Sequence, residues 1–174
     1  MLQGAMSSGL LLLRVFVGVA FVGHGTQKLF GWFGGHGPQG TGGFFASQGY
    51  RNGVQMAVLA GIAEAGGGLL LALGLLTPLA CAAIAVVMLN AIFVVTLKRG
   101  FLLGSELELM YLVTAIALAA TGPGRFSLDR AIGWDDNISG VWWGVGVLGA
   151  AAVVSVATLA LFHSKPRAQA ASPA

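Results

Sequence analysis

Five apolar runs alternate with short polar or glycine-rich stretches along the chain. The first, Leu10–Phe30, carries Arg14 near its start and closes on a compact polar group, His24, Gln27 and Lys28. The second covers about Val54–Leu76 and contains Glu64. The third, Leu79–Leu97, contains Asn90 and stops at Lys98 and Arg99. The uncharged part of the fourth, Leu109–Ala120, is short, and reaching the ~20 residues that cross a hydrocarbon core moves its start back to about Glu106. The fifth, Val141–Phe162, has no charged residue and reads as a plain span. "GLLTP" makes a tight turn that places Pro78 in the first turn of the third span. "GPGRFSLD" stops the fourth. The connector "GWFGGHGPQGTGGFFASQGYRNG" reads as a loop at the membrane interface, where the rings of Trp32, Phe33, Phe44, Phe45 and Tyr50 are favoured.

Composition turns this pattern into a class. Hydrophobic residues make up 56% of the 174 and charged residues only 9%, with a mean hydropathy of +0.85. A water-facing domain carries about 25% charged residues. The fold class is therefore all-α, a polytopic membrane helix bundle, and the lipid bilayer is its first partner. "MLQGAMSSGLLLLRVFVG" lacks the basic start of a secretory signal and is interrupted by Arg14, so it reads as a retained span. The formal charge of +3 is small, and nothing points to nucleic acid. Cys81 is the only cysteine and reads as a small packing residue. It excludes an intramolecular disulfide, a CxxC pair and a cysteine-built metal or iron–sulfur site.

Charge placement predicts topology. With five spans, Lys28, Arg51, Lys98, Arg99, Lys165 and Arg167 gather on one face, against Arg125 and Arg130 in the loops of the other. The positive-inside rule then favours an outside amino terminus and a cytoplasmic tail. The tail "HSKPRAQAASPA" reads as disordered.

The polar residues inside the spans fall at one depth. At 1.5 Å per residue, His24 lies roughly 9 Å from the face marked by Phe30, Ala57, Leu97 and Glu106, Glu64 and Asn90 roughly 10 Å, and Tyr111 roughly 8 Å. Arg14, His24 and Lys28 share an arc of about 80° on the first span, with Gln27 about 60° beyond His24. Intramembrane carboxylates pair or neutralise, so Glu64 requires His24 or Lys28 as its partner. A Glu–His pair would exchange protons near neutral pH. The plainer readings are that Lys28 snorkels to the interface, that Asn90 joins helices, and that Arg14 is a structural ion pair, with Asp129 as the candidate partner, or a snorkelling residue. The small residues of "GIAEAGGGLL" let the first two spans approach closely. The literal GxGxxG of Gly35–Gly40 has no preceding strand and is rejected as a dinucleotide fingerprint. No Walker sequence is present, and His24, His36 and His163 do not form a metal-ligand spacing on one helix.

"LLLRVFVGVAFVGHGTQKLFG", "TGGFFASQG", "AGIAEAGGGLLLALGLLTPLA" and "GSELELMYLVTAIALAATGPGRFSLD" resemble, in order over Leu10–Arg130, the DoxX family of small bacterial membrane proteins. The resemblance implies a four-helix core over residues 1–133 in the plasma (inner) membrane. Residues 134–163 would then be an added fifth C-terminal transmembrane helix, and 164–174 the tail. It also implies an association with respiratory or thiol redox chemistry. Relatives are linked to thiosulfate:quinone oxidoreduction and, in mycobacteria, to a membrane complex with superoxide dismutase and a sulfurtransferase. Carried over by position, His24, Gln27, Lys28, Glu64 and Glu106 match recurrent polar positions, and Ser127 and Asp129 match the closing motif. Family members often have a histidine near the end of the third span, where this chain has Thr96.

The expected function is a membrane subunit of a quinone- or thiol/sulfur-linked redox system with a buried polar pocket. Glu64 and His24 would be its catalytic, proton-handling residues. Lys28, Gln27, Asn90, Glu106 and Tyr111 would bind substrate, and Arg14, Ser127 and Asp129 would be structural. Quinone is the ligand considered; no haem, metal, flavin or nucleotide site is evident. Electrons would come from a protein partner, and self-association stays open. The alternatives are a non-catalytic scaffold or assembly factor and, third, a small transporter or proton pathway.

Overall fold

The computed structural model describes residues 2–100 and 104–164. Among them the chain forms helices and one isolated antiparallel bridge, Tyr50 with His163, but no strand. The helices are α1 (Leu2–Phe30), α2 (Gly37–Ser47), α3 (Gly53–Leu73), α4 (Thr77–Ala91), α5 (Glu106–Thr121), α6 (Leu128–Ala131) and α7 (Val141–Phe162). A 3-10 turn at Trp32–Gly34 precedes α2, and α4 runs on through a π-helical segment, Ile92–Thr96, into a 3-10 turn at Leu97–Arg99.

Among the described residues, four helices are long and apolar enough to cross a membrane: Gly4–Phe30 of α1, α3, α4 with its π extension, and α7. α5 has 16 residues, about 24 Å of helix, less than a ~30 Å hydrocarbon core. It is still part of the bundle, packing Leu112, Ala115, Leu118 and Ala119 into the core beside α4 and α7. The bundle is apolar outside as well as inside. Leu12, Phe16, Trp142 and Val153 are each at least 70% exposed, a surface suited to lipid.

α1 and α3 form the tightest pair because glycines line their contact. A Cβ on Gly18 would stand 2.5 Å from the Gly68 carbonyl oxygen, and one on Gly25 would stand 2.6 Å from the Gly61 carbonyl oxygen. Only residues without side chains permit that approach, the mechanism small residues provide between membrane helices. The contact sets Lys28 and Glu64, each three residues beyond one of these glycines, on the faces that meet.

One expectation is corrected. The connector is not all loop: Pro38 occupies the first turn of α2, and α2 packs on α3 so closely that a Cβ on Gly42 would be 2.6 Å from Val54 Cα. The glycines that look like breakers are there for contact. α1 extends beyond the apolar run to Leu2, with the Ser8 hydroxyl satisfied by the Gly4 carbonyl at 3.1 Å. α3 ends at Leu73, where the expected "GLLTP" turn begins, with Gly74 and Leu76 in left-handed conformations (φ 62° and 49°). The expected tail lies outside the described residues from Lys165 onward, Arg167 included. Ser164 is tied down, its N–H donating to the Gly49 carbonyl at 2.9 Å.

Candidate functional site

At one end of the bundle meet the carboxyl ends of α1, the π segment and α7, and the amino ends of α3 and α5. A cavity of about 490 Å³ opens there, bounded by all of these and by α2. Its walls are mainly apolar and aromatic: Phe21, Phe44, Phe45, Leu59, Val87 and Val154. Phe21 packs edge-on against Tyr111 with ring centroids 5.0 Å apart.

The polar centre is an ion pair. Lys28 Nζ donates to Glu64 Oε2 at 2.5 Å, with the Glu64 side chain 4% exposed and that of Lys28 21% exposed. Helical side chains lean toward their amino terminus. Lys28, one turn nearer the mouth than His24, therefore leans inward, down onto Glu64. The snorkelling reading of Lys28 is corrected: its ammonium turns in, not out. So is the Glu64–His24 pairing. His24 is exposed at the cavity lip and its Nδ1 lies 3.2 Å from Gln27 Oε1. Gln27 spends its Nε2 on the Phe33 carbonyl at 3.2 Å, anchoring the connector, and does not line the cavity.

Asn90 lines the cavity but is committed to its neighbours. It accepts from the Tyr50 hydroxyl at 3.0 Å and donates to the Val86 carbonyl at 2.9 Å and to Ser155 Oγ at 3.1 Å. The network ties the α2–α3 loop and α7 to α4. His163 adds to it, its Nε2 3.0 Å from the Gln48 carbonyl. Burial pushes the Tyr50 phenol up to about 12. Glu106 is exposed and outside the cavity; the carboxylate in the wall is Glu108. Glu108 and Tyr111 are three residues apart on one helical face, whereas Glu106 points elsewhere, so helical spacing alone distinguishes the two. Sequence reading also passed over Tyr50 as an interfacial ring and Ser155 as part of a plain span. The signal for Ser155 was a hydroxyl, one of two with Thr158, in an otherwise apolar helix.

Arg14, Ser127 and Asp129 lie at the opposite end. Asp129 accepts from Leu76 N–H at 2.8 Å, Thr77 N–H at 3.0 Å and the Thr77 hydroxyl at 2.7 Å, capping the start of α4. Ser127 caps α6, accepting from Arg130 N–H at 3.1 Å. Arg14, fully buried, donates Nη2 to the Phe126 carbonyl at 2.5 Å. It forms no ion pair with Asp129, contrary to expectation, because the carboxylate is already occupied by α4. These contacts join the 74–77 and 123–131 loops. Cys81 is buried, and among the described residues no cluster of three or more His, Cys, Asp or Glu could hold a metal.

The DoxX family model matches residues 9–97, from α1 through the π segment. The chain belongs to the DoxX family. It is 36% identical over 121 residues to the Bacillus subtilis (strain 168) protein named "Putative oxidoreductase CatD", covering 70% of this chain and 84% of that one. No solved structure matches. This DoxX protein is accordingly a multi-pass membrane protein. The family match supplies Lys28, Glu64 and Asn90, while Glu108, Tyr111, Val154 and Thr158 of the cavity wall lie beyond it.

Proposed function

We propose that this DoxX protein is a membrane subunit of a redox system whose cavity binds a quinone at the Lys28–Glu64 pair. The observation that carries the reading is a buried ion pair in the wall of an otherwise apolar and aromatic cavity. The cavity's size falls in the ~300–1,000 Å³ range of small-molecule sites. Flat apolar walls with a few convergent polar groups suit a ring that carries oxygens. The similarity to a protein named as an oxidoreductase points the same way.

Bound there, a quinone would supply an acceptor for two electrons and two protons. Lys28 Nζ, with one N–H engaged by Glu64 Oε2, has further N–H groups to orient a ring oxygen. Glu64, with Oε2 engaged by Lys28, takes up and relays a proton at its other oxygen, Oε1, and His24 at the lip exchanges protons with water. Tyr111 and Phe21 fix the plane of the ring. The chain's single cysteine leaves no dithiol of its own, so electrons arrive from a partner protein. The cavity end carries Lys28, Arg51, Lys98 and Arg99 and faces the cytoplasm, with the amino terminus outside.

Quinone titration of the purified protein in lipid nanodiscs tests the reading. Saturable binding is expected, weakened about 10- to 100-fold by Lys28→Met or Glu64→Gln, the range for a hydrogen bond to a charged group. Binding that survives both Glu64→Gln and His24→Ala unchanged would sink it, and would favour the scaffold reading instead.

A further inference from the structure

Serine and threonine hydroxyls in helices commonly bond the carbonyl one turn back. Ser8, Thr121 and Thr158 do so here, to Gly4, Ala117 and Val154, at 2.8–3.1 Å. Thr96 does not. Its Oγ1 is buried without a hydrogen-bond partner among the described residues, and the residue is 5% exposed. Thr96 closes the π-helical segment Ile92–Thr96, where the widened turn displaces the carbonyls from their α-helical places. It also stands in the cavity wall, with Val95 and Ala91 of the same helix end. An unpaired buried hydroxyl is unfavourable, and π turns inside helices concentrate at functional sites.

We propose that Thr96 is a ligand-binding residue of this cavity, its hydroxyl bonding a second ring oxygen of the bound molecule. The proposal rests on the quinone reading and extends it. Lys28 and Glu64 address the ligand from α1 and α3, and Thr96 addresses it from the end of α4. Oγ1 is buried in the present rotamer. A turn of about 120° about χ1, between staggered wells, exchanges it with the methyl group. Threonine in helices divides between two such wells. Contacts from two sides select a ring with two oxygens, a quinone or hydroquinone, over a ring with one.

Thr96→Val keeps the shape and removes the hydroxyl; Thr96→Ser keeps the hydroxyl. Each is titrated in nanodiscs with menadione, which carries two ring oxygens, and with 1-naphthol, which carries one. Menadione should bind Thr96→Val about 2- to 12-fold more weakly than wild type, the range for one neutral hydrogen bond. Thr96→Ser should recover most of that loss, and 1-naphthol should not distinguish the variants. The ligand-free Thr96→Val protein should unfold no earlier than wild type. Wild type that fails to bind menadione overturns the quinone reading and the Thr96 assignment with it. Wild type that binds menadione no better than Thr96→Val overturns the Thr96 assignment alone. So does a Thr96→Val protein that loses ligand-free stability, because the hydroxyl would then have a structural partner.

Discussion

Replacing Lys28 by Met keeps the unbranched apolar stem of the side chain and removes its charge. Glu64 is 3% exposed, and the Lys28 ammonium is its carboxylate's one hydrogen-bond partner among the described residues. Removing one member of a buried pair costs about 3–5 kcal/mol. The 21% exposure of Lys28 admits water near the pair and favours the lower end, about 3 kcal/mol. Glu64→Gln leaves a lysine that can extend back toward the interface, and should cost less, about 1–2 kcal/mol. With both charges gone, nothing charged is left stranded, and the double variant should lose only about 2 kcal/mol. The cycle therefore predicts a coupling of about 2–3 kcal/mol. Reversible unfolding in mixed micelles, titrated with a denaturing detergent and followed by helical circular dichroism, reads all four proteins. Single effects that add to within about 0.5 kcal/mol would refute the pairing and return Lys28 to the interface.

Asp129→Ala removes three accepted hydrogen bonds at the start of α4 and should cost about 2–3 kcal/mol in the same unfolding assay, with Asp129→Asn intermediate. Tyr50 stays a neutral phenol to about pH 12, while the unfolded chain releases that proton near an ordinary phenol value of about 10. The folded state then holds the proton over that interval, so stability is complete below about pH 10 and falls as pH rises toward 12. Tyr50→Phe should remove that alkaline loss and delete the phenolate step near pH 12 in an absorbance titration.

The spans were legible because lipid imposes length and apolarity on any helix that crosses it, and α7 matches its expected limits residue for residue. The depth layer of His24, Glu64, Asn90 and Tyr111 was legible for a related reason: rise per residue is fixed, and all four line the cavity. Partner choice was not legible. Lys28 takes Glu64, and Gln27 takes His24, through side-chain lean and the Gly25–Gly61 approach, which a wheel projection does not contain. α2 was hidden because glycine at Gly40 and Gly42 reads as a helix breaker in isolation, yet here Gly42 makes the contact with Val54 possible. Asp129 was set against Arg14 by charge alone, and the free N–H groups of α4 won the carboxylate. The π segment left no mark in the sequence, since "IFVVT" is as apolar as the helix before it.

Photo-crosslinking with an azido-substituted quinone reports where the ring sits in the bundle. Label should enter peptides containing Phe21–Lys28, Met56–Glu64 and Leu107–Tyr111, be displaced by unlabelled quinone, and fall sharply in Lys28→Met. Label spread over the lipid-facing surface of α7 around Trp142 and Val153, or insensitive to competing quinone, would contradict quinone binding in the cavity.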